Sequence, residues 1–377
     1  MNRKNICEIC TLIMGQSPDS KSYNKDKNGI PFYQGNADFG EEHPTPTVWC
    51  TAPKKIARKG DILISVRAPI GDMNIANEDC CIGRGLAAIR LNKSDIVDIN
   101  YLYHYLSATV EFLQEQGTGS TFKAINKTTL EGIEIPCPSI EKQKNIAKLI
   151  IEIKTSIQYK KAELFALNEL VKSRFIEMFG DIRISSIFPN IALENFAQIG
   201  SSKRVHAADY VESGVPFYRS KEIIELGNGQ EPSVELFISK KQYESIKKTN
   251  GVPCKGDILM SAVGTIGKMW IVDGRKDFYY KDGNIISIHS EETNPIYLKE
   301  ALANLIDDFK SANVAGSAYS ALTIVKLKKM TVPMPPMSIQ NEFADFVKLI
   351  DKSKFIVQKQ IDDLQELLDS KMDEYFG

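Results

Sequence analysis

No apolar run in the 377 residues approaches the roughly 18 consecutive positions that a membrane span needs. The N-terminus, MNRKNICEICTLIMGQSP, has a basic start, but its short apolar patch is interrupted by Glu8 and no small-residue cleavage site follows. Neither a membrane span nor a secretory leader is expected, and the expected location is the cytoplasm. Histidine is scarce. His43, His104, His206 and His289 are scattered with no ligand spacing, so each reads as a surface or packing residue. Charge of one sign is missing too: the net charge of −1 argues against a protein that coats nucleic acid by phosphate neutralisation alone, while allowing local basic surfaces. The seven cysteines (Cys7, Cys10, Cys50, Cys80, Cys81, Cys137 and Cys254) are odd in number and irregular in spacing, which fits reduced thiols better than a disulfide framework. Cys7-x-x-Cys10 and Cys80-Cys81 together offer four sulfur ligands, but an adjacent pair suits one tetrahedral zinc site poorly, and no metal is expected.

Catalytic signatures are absent as well. There is no G-x-x-x-x-G-K-[ST] phosphate loop and no G-x-G-x-x-G; Gly83-Arg84-Gly85 stands alone. G-x-S-x-G and H-E-x-x-H do not occur. Asn294-Pro295-Ile296-Tyr297 comes nearest to the Asn-Pro-Pro-aromatic motif of amino-methyltransferases, but it lacks the second proline and reads as a helix start. These absences point to a binder and away from an enzyme.

What is present is a duplication. Gly119-Ser120-Thr121-Phe122 recurs as Gly316-Ser317-Ala318-Tyr319, Ile135-Pro136-Cys137-Pro138 as Val332-Pro333-Met334-Pro335, Gln143 as Gln340, and Phe179-Gly180 as Phe376-Gly377, all offset by 197 residues without a gap. Upstream the match persists with small length changes: Lys59–Ser65 matches Lys255–Ser261, and Gly29–Tyr33 matches Gly214–Tyr218. Each copy is a globular head followed by a helical part, and the offset drifts only in the heads, where loops vary.

The helical parts carry heptad seams over about five heptads. In the first, Ile146, Ile150, Ile153, Ile157, Leu164, Leu167, Val171 and Met178 alternate at steps of three and four, with Lys160 and Arg174 in the two gaps; in the second, Phe343, Val347, Ile350, Val357, Ile361, Leu364, Leu368 and Tyr375 do the same, interrupted by Lys354 and Lys371. Each helix follows a Pro-x-Pro turn and is expected to run about 35–40 residues, or roughly 55 Å. Two matching seams in one chain favour a coiled coil over two helices packed on their own heads. In the heads, short apolar runs between turn residues (61–66, 85–91, 257–261 and 284–289) read as strands, with helical stretches at 99–116 and 295–311. The expected fold is α+β: two pseudo-symmetric globular domains, each followed by a long α-helix, the helices packing as an antiparallel coiled-coil spacer. The expected boundaries are 1–137 and 181–334 for the heads, with 181–190 as a linker, and 138–180 and 335–377 for the helices.

A duplicated module on a rigid spacer suits a partner with two separated, similar surfaces. Duplex DNA is one: two modules can face the major groove about one helical turn, roughly 34 Å, apart. Here the order of motifs becomes specific. Gly15-Gln16-Ser17-Pro18, a Pro-Phe-Tyr strand, K-G-D-I-L-I-S with Arg67-Ala-Pro-Ile-Gly71, Gly-Ser-x-aromatic, P-x-P-x-x-x-x-Q and a long helix, with most of the set repeated in the second copy, resembles the specificity subunit of type I restriction–modification systems over essentially the whole chain. The resemblance implies that each head is a target-recognition domain and that the helices set the gap between half-sites. It further implies double-stranded DNA, two methyltransferase (modification) subunits and restriction/translocase subunits as partners. No cofactor is expected in this chain; S-adenosylmethionine, ATP and Mg²⁺ are implied for the partner subunits. The second copy departs from the pattern: it has Gly200-Ser-Ser-Lys-Arg204 in place of G-Q-S-P, so the heads are expected to read different sequences.

Base readout needs donors and acceptors on exposed loops, with arginine and lysine suited to guanine and asparagine and glutamine to adenine, while serine and threonine suit phosphate. In the first head the candidates are Gln16, Ser17, Gln34, Asn36, Arg67, Arg84, Ser120, Thr121 and Lys123; in the second they are Ser202, Lys203, Arg204, Arg219, Ser220, Lys221, Lys281, Ser317 and Tyr319. Each has a structural alternative: Gly-Ser-x-aromatic is also a tight turn with its ring in the core, and the arginines also serve in salt bridges. Two rival functions stay in play, a self-sufficient nuclease or methyltransferase with a diverged site and a coiled-coil scaffold whose heads bind protein.

Overall fold

The computed structural model describes residues 2–115, 124–181, 185–313 and 322–377. They form two compact units, Met1–Lys161 with Lys359–Gly377, and Ala162–Gln358. Each unit therefore holds one head, the start of one long helix and the end of the other.

The heads share a plan. In the first unit Cys10–Met14, Leu86–Leu91, Ile62–Ser65 and Met73–Ile75 form a four-stranded antiparallel sheet in that order; in the second, Gln198–Gly200, Ile285–His289, Ile258–Ser261 and Met269–Ile271 do so. The runs Ile62–Ser65 and Ile258–Ser261 are buried at every position, as unbroken apolar runs between turns predict. A second sheet in each head contains one parallel pair, Ile30–Tyr33 with Cys80–Ile82 and Val215–Tyr218 with Tyr279–Tyr280. The second head adds the helices Ser220–Gly227 and Lys240–Thr249. The helical stretch expected at 99–116 divides at Thr109 into Ile99–Ala108 and Val110–Glu115. The helix Pro295–Asn313 starts at the proline, with the Asn294 side chain accepting the Ile296 N–H at 2.9 Å.

The repeated motifs have repeated jobs. Gly60 and Gly256 adopt φ of +88° and +96°, a region that favours glycine, and turn the chain into the buried strand. The following carboxylate seals the turn: Asp61 accepts from the Arg58 N–H at 2.7 Å and from the Arg90 guanidinium at 2.8 Å, and Asp257 accepts from the Cys254 N–H at 2.8 Å and pairs with His289 Nδ1 at 2.7 Å. The buried glutamine of P-x-P-x-x-x-x-Q pins each long helix to its head. Gln143 accepts the Asp98 N–H and donates to the Ile96 and Pro138 carbonyls; Gln340 accepts the Asn294 N–H and donates to the Pro335 carbonyl.

Both long helices, Ile140–Phe179 and Met337–Phe376, run 40 residues. Their heptad seams are the buried faces: Ile146, Ile150, Ile153, Ile157 and Val171 in the first and Phe343, Val347, Ile350, Val357, Ile361 and Leu368 in the second are buried. Lys160, Arg174, Lys354 and Lys371, in the seam gaps, are half-buried. In the second unit Phe175 and Phe179, ending the first helix, meet Phe343, near the start of the second, with ring centroids 5.6 and 5.3 Å away, so the helices run antiparallel. In the first unit Phe376, ending the second helix, lies 5.4 Å from Tyr101. The stretch 181–190 carries more structure than a bare connection: Gly180–Asp181 pairs with Ser185–Ser186, and a strand begins at Asn190. Among the described residues no helix is long and apolar enough to cross a membrane.

Candidate nucleic-acid interface

In the first head four chain segments converge through backbone hydrogen bonds. The Gly83 N–H donates to the Tyr33 carbonyl at 2.8 Å, the Gly85 N–H to Gln34 at 3.2 Å, the Gly15 N–H to Leu86 at 2.9 Å and the Val66 N–H to Gly85 at 2.9 Å. The approach is so close that only glycine fits: a Cβ on Gly85 would stand 2.3 Å from the Gln34 carbonyl oxygen, and one on Gly15 would stand 2.1 Å from that of Gly83. Gly83-Arg84-Gly85, without meaning as a nucleotide motif, is thus a tight turn that holds up Arg84. The Asp38 carboxylate accepts the Gln34 N–H at 2.7 Å and fixes the neighbouring turn. Gly85→Ala is expected to destabilise the first unit by about 1–3 kcal/mol through this clash. Thermal unfolding checks it, and a melting temperature equal to wild type would show that the interlock yields freely.

These segments line a cleft of about 210 Å³ that brings together five of the nine first-head candidates, Ser17, Gln34, Asn36, Arg67 and Arg84. Asn36 donates one amide hydrogen to Asp72 at 2.8 Å. Arg67 and Arg84 are exposed, and among the described residues neither has an acidic partner. Two guanidinium groups without an ion-pair partner among the described residues thus share one concave, polar surface. Gln16 is exposed but does not line the cleft; its N–H donates to the Ile82 carbonyl at 3.0 Å. Ser120, Thr121 and Lys123 lie outside the described residues, as do Ser317 and Tyr319 of the second head.

The second head disposes of its candidates differently. Arg204 pairs with Asp282 at 2.8 Å, and Lys221 with Glu235 at 3.4 Å. Arg219 donates to the buried Glu222 at 2.7 Å and to Glu235 at 2.9 Å; these bonds hold its proton more firmly than usual, so it acts as an internal clamp at the start of the helix that Ser220 opens. Lys203 and Lys281 use their backbone N–H groups on the Tyr279 hydroxyl and the Tyr218 carbonyl, at 2.7 and 2.9 Å. Ser202 lines a separate cavity of about 480 Å³ with Asn250, Tyr279, Tyr280 and His289, and its buried hydroxyl has no hydrogen-bond partner among the described residues. Sequence reasoning missed the clamp Asp38 and the counter-charges Asp282, Glu222 and Glu235, which no motif marks. It also missed Val263, which the alignment of Ser65-Val-Arg-Ala-Pro-Ile-Gly71 with Ser261-Ala-Val-Gly-Thr-Ile-Gly267 places opposite Arg67.

Burial pushes the Cys10 and Cys80 thiols up to about 12 and Cys81 to about 11. This opposes the thiolate a metal ligand or nucleophile needs. Among the described residues no three His, Cys, Asp or Glu side chains are grouped so as to hold a metal.

The profile of the type I restriction modification DNA specificity domain matches residues 1–169 and 188–366. The chain belongs to this family. The two matched stretches are the two copies of the duplication. Among specificity-family relatives, the putative type I restriction enzyme MjaX specificity subunit of Methanocaldococcus jannaschii is 45% identical over 177 residues, which cover 46% of this chain and 41% of that protein. This chain thus spans less than half of that relative in the matched region. The MjaIX specificity subunit of the same organism is 24% identical over an alignment of 411 residues, covering 97% of this chain and 90% of the relative. The crystal structure of the type I restriction–modification S subunit from M. genitalium covers 100% of this chain and 96% of its own at 16% identity, with a TM-score of 0.58, a likeness of fold.

Proposed function

We propose that this chain is the non-catalytic, sequence-reading subunit of a type I restriction–modification complex. Each head takes one half of a split, asymmetric duplex target. The long helices set the gap and dock two copies of a methyltransferase subunit, and a restriction subunit joins that assembly. S-adenosylmethionine, ATP and Mg²⁺ act in the partner subunits.

The observation that carries this reading is the first-head cleft. Arg67 and Arg84 stand unpaired, among the described residues, beside the Gln34 amide on an interlocked backbone floor, and a guanidinium fork matches the N7 and O6 acceptors of guanine. Different side chains on one scaffold in the two heads support two different half-sites. The long helices also keep Tyr159, Phe165, Leu349, Phe355 and Ile356 more than half exposed. Tyr159 and Ile356 occupy the same place in the repeat, which suits two copies of one partner.

The test is to co-express the chain with its modification subunit and to map methylated bases across the host genome by single-molecule sequencing. The expected result is one split motif, two short half-sites with a fixed gap, methylated only when this chain is present. Unchanged methylation despite a stable complex would remove the DNA-reading role and leave a coiled-coil scaffold.

A further inference from the structure

The two heads present the same loop with a different residue at its tip. Each loop leaves the buried strand at a serine, Ser65 or Ser261, and five of its hydrogen bonds recur in both heads. The serine N–H donates to the Asp72 carbonyl at 2.8 Å or the Lys268 carbonyl at 2.9 Å, and its carbonyl accepts the N–H of Gly71 at 3.0 Å or Gly267 at 2.8 Å. The hydroxyl accepts the N–H of Asp72 at 3.1 Å or Lys268 at 3.0 Å and donates to the Pro69 or Thr265 carbonyl. Gly71 and Gly267 adopt φ of +99° and +81°, and a Cβ on either would lie 2.4 Å from a methyl carbon, of Val110 or Ile306. The residue after the serine donates to the Gly85 carbonyl at 2.9 Å in one head and to the Asn284 carbonyl at 2.8 Å in the other. The next residue is exposed in both: Arg67 in the first head and Val263, 48% exposed, in the second. The matched hydrogen bonds therefore put Arg67 and Val263 at corresponding positions, although the loops part just beyond them, where Ala68–Pro69 is cis and Gly264 has φ of +73°.

The surroundings differ in charge. Around Arg67 the guanidinium groups are unanswered among the described residues. In the second head the guanidinium groups of Arg204 and Arg219 are tied to Asp282, Glu222 and Glu235, so neither replaces Arg67 as a two-pronged donor. Lys203 and Lys281 carry compact ammonium charges, which suit phosphate as point charges. What the second loop offers at its tip is a rigid apolar side chain.

We infer that positions 67 and 263 are matched specificity-determining positions: Arg67 takes the N7 and O6 of a guanine in one half-site, and Val263 packs on the 5-methyl group of a thymine in the other. This rests on the DNA-reading function proposed above.

The experiment maps methylated motifs for the full chain with its modification subunit, as wild type and as Arg67→Val, Val263→Ala and Val263→Arg. Arg67→Val is expected to lower the preference for guanine at one position of one half-site by at least about tenfold. Val263→Ala, which removes two methyl groups from an exposed site, is expected to relax a thymine at one position of the other half-site, and Val263→Arg to move that position towards guanine. The untouched half-site and the gap report folding and assembly. If the added arginine is too large for the interface, Val263→Ala decides. Wild-type motifs at wild-type occupancy in Arg67→Val and Val263→Ala would overturn this inference and leave the proposed function standing, as would changes spread over both half-sites. Methylation indifferent to the wild-type chain would overturn the function itself.

Discussion

Removing both guanidinium groups of the first-head cleft, as Arg67→Ala with Arg84→Ala, is expected to weaken binding of the assembled complex to its target by at least about thirtyfold, each arginine contributing about 1–3 kcal/mol. The cost falls on recognition because both side chains are exposed and carry no internal salt bridge among the described residues. Their loss leaves no buried charge behind, and the melting temperature is expected to stay at the wild-type value. Salt dependence separates two ways of losing affinity. If the arginines read base edges, binding to the specific target falls while binding to unrelated duplex is nearly kept. If they only neutralise phosphates, both fall together, and the slope of log affinity against log salt drops by about 0.9 for each contact removed. Fluorescence anisotropy on target and unrelated duplexes at several salt concentrations checks this. Equal losses on both duplexes would sink the base-reading role.

Phe179→Ala is expected to cost about 3–5 kcal/mol of stability. The ring has no exposed surface and lies 4.9 Å from Phe175, 4.8 Å from Tyr297 and 5.3 Å from Phe343. One side chain thus ties the end of the first long helix, the start of the second and the helix Pro295–Asn313 together. For a unit of this size the loss corresponds to a fall of about 10 °C in melting temperature, measurable by circular dichroism. Phe376, its counterpart in the repeat, is half-buried against Tyr101 and Tyr105, at 5.4 and 5.9 Å, so Phe376→Ala is expected to cost less. A Phe179→Ala protein that melts with wild type would mean that the aromatic cluster is not what joins the helices in this unit.

The second head shows why charge is a poor guide to binding before the fold is known. Arg204, Arg219 and Lys221 have the residue types that DNA recognition uses, and each stands beside a carboxylate in the structure. The partner of Arg204 is 78 residues away in sequence, and no local pattern connects the two. Arg67 and Arg84 look no different as residues, yet among the described residues neither forms an ion pair.

Short-range physics made much of the protein legible in its sequence. The 197-residue repeat is plain in the order of residues itself, and the heptad seams, the Lys-Gly-Asp turns into buried strands and the start of a helix at Pro295 each depend on neighbours within a few positions, where periodicity and turn chemistry act. Residue type alone marked Gln34, Asn36, Arg67 and Arg84 as candidates for DNA readout, but not their meeting in one cleft. Tertiary structure decided that, by interlocking Gly15, Gln34 and Gly85, which are far apart along the chain and reach hydrogen-bonding distance only after the sheets form. It also decided which cations are neutralised by carboxylates, because ion pairing follows from distances in space that the order of residues does not contain.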